Sequence, residues 1–218
     1  AQSETSRPLD LEGLVEYWNA NAKIGTQYEL TEATIALRLS EVDPDRAEAT
    51  TLTKEQLRQA ARTLAAASML MQTPEIRLLG APADLRGVEP GDLLDWSEKD
   101  IRTLLLRPLF VASQFGAVRL YVQKAREFLT AEWLQRRLVD HASRTRIEAL
   151  FFRTQYGREV PVPSMRGVLP WLALLDAGVL ARVRRVAPEV MFEGGDPSRL
   201  PLEMRRELLS KACARLSS

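Results

Sequence analysis

Apolar residues recur at steps of three and four through most of this 218-residue chain, and the exceptions are as informative as the rule. Over residues 8–22, Asp10 stands as an N-cap before Leu11, Leu14, Val15 and Trp18, which predicts a first helix. After Gly25, a stripe of Leu30, Ala33, Thr34 and Leu37 predicts a second helix over 30–39, stopped by the acidic turn Val42-Asp43-Pro44-Asp45. Thr53 and Gln56 form a capping-box pattern. The face behind them, Leu57, Ala60, Ala61, Leu64, Ser68 and Met71, is rich in alanine and permits close helix packing.

The period then changes. Residues 75–79 are β-capable, and 80–90 form a Gly/Pro/Asp-rich loop too short to separate folding units. Ser97 and Asp100 cap a helix that aligns Ile101, Leu104 and Leu105, and Pro108 ends it. Residues 109–112 and 117–122 read as strands around Ser113-Gln114-Phe115-Gly116, with Val118, Leu120 and Val122 alternating against Ala117, Arg119 and Tyr121. In the next helix Ala125, Phe128, Ala131, Leu134 and Leu138 share one face, Leu129 and Trp133 flank it, and Arg126, Glu127, Arg136 and Arg137 lie opposite. Helix, tight hairpin and helix in that order are the grammar of a winged helix.

Residues 143–155 predict a further helix, followed by an extended break from Tyr156 to Pro163. Short helices over 168–175, 179–186 and 202–216 are separated by Asp176-Ala177-Gly178 and by Gly194-Gly195-Asp196-Pro197-Ser198, with Pro201 suited to a first helical position. Their terse turns suit the start of an α-solenoid. The expected fold class is therefore mainly α: a helical bundle with a winged-helix β-hairpin, then helical hairpins resembling an α-solenoid start. Three regions follow: a lid-like helical segment over 1–52, a winged-helix-like domain over 53–140, and a helical linker with the first solenoid-like helices over 141–218.

Composition narrows the chemistry. At 45% apolar and 27% charged residues the chain can bury one or two ordinary cores. It has no apolar run of membrane-span length and no basic-then-apolar leader, which points to a soluble cytoplasmic protein without a membrane partner. It opens on Ala1 rather than Met, so a segment of a longer protein is expected. One cysteine and one histidine exclude a disulfide framework, a Cys/His zinc site and most histidine-assisted nucleophilic catalysis. Cys213 shares helical spacing with Leu209 and Leu216, which predicts a buried, inert thiol. His141, after Asp140, is expected just past a helix end, in a favourable dipole interaction.

The net charge of +1 conceals an asymmetry. Residues 1–100 hold 10 basic and 18 acidic groups, and residues 101–218 hold 20 and 11. Such a split suits a docking surface, an anionic partner or complementarity within the molecule. Arginine supplies 25 of the 30 cations, which suits planar ion pairing, although a GC-rich genome biases usage the same way. Residues 133–185 are richest, with 10 arginines against 4 acids. Arg136, Arg137, Arg182, Arg184 and Arg185 are thus candidate interaction residues for phosphates, against the alternative of a solvated or interdomain face. The helix over 97–108 suits DNA reading poorly: Lys99, Arg102 and Arg107 are offset by Glu98 and Asp100, and the hairpin adds only Arg119.

Catalytic motifs fail inspection. A phosphate-binding loop needs Gly-Lys-Ser/Thr, and Lys23, Lys54, Lys99, Lys124 and Lys211 all lack a preceding glycine. The run Trp171-Leu172-Ala173-Leu174-Leu175-Asp176 mimics a strand ending in a magnesium-binding aspartate, but without that loop it reads as a helix and a turn. Asp43 with Asp45, and Asp92 with Asp95, read as solvated turn acids. No catalytic or metal-binding residue is assigned, and the segment is not expected to be an enzyme.

The run Asp95-Trp96-Ser97 through Leu104-Leu105-Leu106-Arg107-Pro108-Leu109-Phe110, then Leu120 to Leu134 with Glu127-Phe128-Leu129-Thr130-Ala131 at its centre, resembles the winged-helix region of large bacterial NACHT-like STAND ATPases. Pro170 to Asp176, Ala187-Pro188-Glu189-Val190, Gly195-Asp196-Pro197-Ser198 and Leu200 to Arg205 resemble the helical region that follows it, and Arg7-Pro8-Leu9-Asp10 through Tyr17-Trp18 the start of the helical lid. The resemblance implies a non-catalytic regulatory piece of a signal-transducing ATPase, often one of antiphage defence. It needs no cofactor of its own, with ATP or ADP and magnesium bound by a parent protein. Its implied partners are an upstream nucleotide-binding core, downstream sensor repeats and further copies of itself. Pro8 would touch the nucleotide base. Where the family places a phosphate-sensing histidine, this chain has Tyr121 or Val122, and a tyrosine can donate one hydrogen bond but carries no positive charge. The alternative is a winged-helix module that binds nucleic acid through the arginine-rich stretch.

Overall fold

The computed structural model describes residues 14–15, 17–19, 21–40 and 52–216. The Asp10 cap, Pro8 and the Asp43/Asp45 turn lie outside them. Among the described residues the fold is mainly helical with two small antiparallel sheets. After helical residues at 14–15, 17–19 and 21 come α1 (Gln27–Ser40), α2 (Lys54–Leu70), β1 (Ile76–Arg77), α3 (Glu98–Leu105), β2 (Phe110–Gln114), β3 (Ala117–Leu120) and α4 (Gln123–Gln135). There follow α5 (His141–Phe151), β4 (Phe152–Gln155), β5 (Arg158–Pro161), α6 (Leu169–Leu175), α7 (Ala177–Val186) and α8 (Leu202–Leu216). Among the described residues, no helix is long and apolar enough to cross a membrane.

Where capping chemistry is local, the elements fall where the sequence predicts. Thr53 Oγ1 accepts the Gln56 N–H, and Gln56 Oε1 accepts the Thr53 N–H, closing the capping box that starts α2. Ser97 accepts the Asp100 N–H to start α3, whose Ile101, Leu104 and Leu105 are all buried. The first sheet has the order β1-β3-β2. Ile76 pairs with Val118, Phe110 with Leu120, and a bulge at Ser113 shortens the turn to Phe115 and Gly116. The extra residue is put to use, because Ser113 Oγ donates to Glu75 at 2.9 Å and ties the bulge to the start of β1.

Four expectations are corrected. The stripe of α1 is rotated: Thr31, Ile35 and Leu39 are buried, while Leu37 is exposed, because the arc through Tyr28 and Ile35 carries the side chains that reach α4. The helix expected over 143–155 ends at Phe151, and Phe152–Gln155 instead pairs with Arg158–Pro161. The two residues between these strands, Tyr156 and Gly157, have φ of 50° and 73°, the positive values that a type I′ hairpin turn requires. His141 opens α5 rather than following a helix, with Asp140 as the cap that accepts the Ser143 N–H at 2.8 Å; it lies at the wrong end of a helix for the expected dipole interaction. Cys213 is exposed, because α8 buries Leu208 and Ala212 and turns the neighbouring position outward.

The largest departure concerns α4. It was expected to present Arg126 and Glu127 to solvent, yet Glu127, Phe128, Leu129, Thr130 and Ala131 are all buried in succession. A helix buried around its circumference must be contacted on every side, and α1, α2, β3 and α6 all pack against it. The Phe128 ring meets Tyr28 of α1 edge-on at 5.1 Å and Trp171 of α6 edge-on at 5.2 Å. One continuous core runs from Ile35 to Leu208 through this contact. Asp196, itself buried, closes it at the far end by accepting the Tyr28 N–H at 2.9 Å, so a loop near the end of the chain caps the first turn of α1.

Phe128→Ala is expected to cost about 3–5 kcal/mol of unfolding free energy. Chemical denaturation followed by both tryptophan fluorescence and circular dichroism checks it. The expected outcome is one shared transition at lower denaturant, and survival of the C-terminal helices after the rest melts would contradict a core joined at Phe128.

Candidate functional site

The residues singled out from sequence divide into three places. Tyr121 lies just beyond β3, where its N–H donates to the Leu109 carbonyl at 3.0 Å across the base of the hairpin. It is half-buried, and the Arg38 guanidinium from the last turn of α1 sits 4.3 Å from its ring centre. A cation therefore stands at the position where Tyr121 supplies none, delivered by a different helix. Pro8 lies outside the described residues.

Arg136 and Arg137 occupy the end of α4. Arg136 reaches Glu55 at 3.1 Å and Gln59 at 3.5 Å, both on α2. Arg137 lies flat over Trp133, 3.4 Å from its ring centre, and donates to the Trp133 carbonyl; burial pulls its pKa below the ordinary arginine value. Glu55 belongs to a larger system in which Arg62 binds Glu55 and Glu132, and Arg58 binds Glu132 and Glu32. Burial would lower the Arg58 pKa, but the two carboxylates outweigh it and the net shift is upward. The network ties α1 and α2 to α4 through Glu132 and Arg136, and only its Arg136–Glu55 pair joins a cation of the basic half to an acid of the acidic half.

On α7, Arg182 is clamped by Glu148 and Glu159 and lies over the Phe152 ring, 4.6 Å from its centre. Nearby, Arg144 makes a bidentate pair with Asp176 at 2.8 and 2.9 Å, and Asp176 also accepts the Val179 N–H that starts α7. The Arg144 hydrogen bonds hold the Asp176 carboxyl below its ordinary range, more than offsetting its burial. Trp171 to Leu175 is helical as expected, but the turn expected over Asp176-Ala177-Gly178 is absent: Asp176 ends α6 and caps α7 at once, and Ala177 and Gly178 are already helical.

Arg184 and Arg185 do converge with other cations. They line an open groove of about 670 Å³ with Lys211 and Arg215 of α8, over a floor of Ala181, Pro188 and Ala214. The sequence reading missed Lys211 and Arg215, whose only signal was an i, i+4 pair of cations on α8. The groove cations are already paired: Arg184 and Lys211 with Glu207, Arg185 with Glu159, and Arg215 with the Val186 carbonyl. An anionic partner would compete with carboxylates already in place, which reduces the gain from each contact. Asp92 and Asp95 are exposed, as turn acids should be.

Sequence reasoning also missed Glu127. Its carboxylate is buried and accepts a hydrogen bond from Gln123 Nε2 at 2.7 Å. Gly167 leaves room for it, since a Cβ there would lie 2.1 Å from Glu127 Oε1. Burial pushes the Glu127 pKa up, against the smaller opposing effects of Gln123 and Arg126.

No family model matches this chain, and no curated protein or solved structure matches it either.

The raised Glu127 pKa fixes a sign. The folded state holds this proton more tightly than the unfolded chain, so its contribution to stability is fully present below the ordinary value of 4.5 and is lost as pH rises through the folded value. Glu127→Gln, which keeps an acceptor for Gln123, is expected to match the wild type in acid and to exceed it in stability at neutral pH. Urea titrations of both proteins across this range check it; a constant difference at all pH values would assign the effect to packing.

Proposed function

We propose that this chain is a non-catalytic coupling module of a STAND-type signal-transducing ATPase, in which a winged-helix unit and its flanking helices carry the state of a nucleotide-binding core to a sensor. The single observation that supports the reading is the succession α2, β1, α3, β2, β3 with sheet order β1-β3-β2, which we read as winged-helix-like, joined to α1 and to the C-terminal helices by one core. A relay needs this stiffness, because a ligand shifts an equilibrium only through contacts that differ between two states. The segments that resemble the family lie at these joints: Glu127 to Ala131 forms the buried centre of α4, and Gly195 to Ser198 holds the loop that caps α1.

Tyr121 with Arg38 above it is the proposed phosphate-responsive corner. The hydroxyl contributes a hydrogen bond, and the guanidinium supplies the charge that a histidine would otherwise bring. ATP or ADP with magnesium would bind to the parent protein, in the cytoplasm, and a helical repeat region would follow α8. A defence role against phage is the expected setting.

A second reading is favoured by one observation, the convergence of Arg184, Arg185, Lys211 and Arg215 on one open groove, where cations could meet the phosphates of a nucleic acid. The intramolecular pairing of all four cations ranks it below the first.

Joining the chain to the reading frame that precedes it in its gene tests the first reading. The expected outcome is a Gly-Lys-Ser/Thr loop about 200–300 residues upstream, the span of a typical nucleotide-binding domain, and nucleotide binding by the joined protein. Arg38→Ala is then expected to leave nucleotide affinity within about threefold while weakening the discrimination between ATP and ADP about tenfold. An intact gene without such a loop would reject the proposal. Binding of single- or double-stranded nucleic acid by the chain alone, weakening steeply with salt, would instead favour the second reading.

A further inference from the structure

A second cavity, of about 200 Å³, lies between the end of α2, the turn after it and the 3-10 turn at Pro163–Met165, lined by Ser68, Met69, Gln72, Pro74, Arg126 and Ser164. It has room for roughly six waters at their liquid volume, enough for one tetrahedral oxyanion that displaces a few of them. Arg126 lines it without a carboxylate, whereas the half-buried Arg58, Arg144, Arg166, Arg182 and Arg184 are each bound to one.

Arg126 projects from the central helix α4, and its Nε is buried without a hydrogen-bond acceptor. Among the described residues no carboxylate lies within ion-pair distance of its guanidinium. Glu75 and Glu127 act on it only from a distance, Glu75 being engaged by Ser113 and Glu127 by Gln123. Arg119 repels it, and desolvation is the largest influence on it, working against its charge. A desolvated, unpaired guanidinium costs free energy unless something meets it, and its fork geometry matches an oxyanion.

Two further groups on the rim lack partners. The Gln72 amide and the Ser164 hydroxyl make no hydrogen bond within the described residues, and both can donate. Gln72 is also one of the few non-glycine residues with positive φ, at 53°, held there by the hydrogen bond from Thr73 N–H to the Ser68 carbonyl that closes the end of α2. The chain thus takes a strained path just where the amide meets the cavity. Ser68, by contrast, is occupied, donating to the Ala65 carbonyl.

We propose that this cavity is a binding site for a phosphate-type oxyanion, held by the Arg126 guanidinium with the Gln72 amide and the Ser164 hydroxyl as additional donors. The site shares no residue with the groove between α7 and α8 and does not depend on the relay reading. The same chemistry fits free phosphate and the phosphoryl group of a small ester, and the probe set separates them.

The test is calorimetric titration of the full chain with inorganic phosphate at constant ionic strength in chloride, repeated with adenosine monophosphate. Saturable phosphate binding is expected, weakened at least about tenfold in Arg126→Met and several-fold in Ser164→Ala and in Gln72→Ala. Arg153→Ala, an exposed cation on β4, is expected to bind as the wild type does. Tighter binding of the ester than of phosphate assigns the site to a phosphorylated ligand; weaker binding assigns it to the free ion. Arg126→Met removes a desolvated charge, so its thermal unfolding is expected at or above the wild-type temperature, and the two rim variants, with exposed side chains, serve if it does not fold. Absence of saturable binding, equal binding by wild type, Arg126→Met and the rim variants, or an equal loss in Arg153→Ala would each overturn the site.

Discussion

Phe128 fixes the architecture because it has no free side. Its ring is held edge-on by Tyr28 from the N-terminal helix and by Trp171 from the C-terminal half, and the helix that bears it is buried around its circumference. Edge-to-face contacts add about 0.5–1.5 kcal/mol each beyond area burial, and they are directional, so they specify how the partners approach as well as that they do. The other features of α4 follow from this position. Glu127 is trapped in the core because the next residue must be central, and Gly167 is glycine because a carboxylate fills the space its side chain would take.

Charge is organised around the same helix. Ion pairs join α4 to the first half of the chain: Arg58 and Arg62 bind Glu132 on one flank of α4, and Arg136 binds Glu55 at its end. A second set ties α5, β5 and α7 through Arg144, Arg182, Glu148, Glu159 and Asp176. The exposed Arg136–Glu55 pair contributes little, but Arg58, Arg62, Arg144 and Arg182 are partly or fully buried and multiply bonded, so removing one partner leaves a desolvated charge behind. The arginine content that suggested nucleic acid therefore serves mainly to bind the protein to itself. Arg126 lies outside this pattern, as do Arg38, which sits over a tyrosine ring, and Arg205.

What was legible in the sequence was local. Capping at Thr53 and Ser97 and the apolar triplet of α3 depend on neighbours a few residues away, and each is where spacing and capping chemistry predict. What was hidden depended on distant partners. Helical periodicity assumes one buried face, which sent Arg126 and Glu127 to the surface; only the arrival of α1 and α6 on the far side of α4 reverses that. Periodicity also ran through Phe151-Phe152 into a strand, although Tyr156-Gly157 carried a turn signal that was read only as a break. Of the candidate sites, Arg184 and Arg185 were visible as cations, whereas Lys211 and Arg215 joined them only once α8 docked beside α7.

The corner at Asp176 has a mechanical meaning. One residue terminates α6, begins α7 and grips Arg144 of α5, so no slack backbone separates the two helices and a third is latched to their joint. Three rods meeting at a single pinned vertex behave as a truss: a push on any one is shared by the others, and bending must occur elsewhere in the frame.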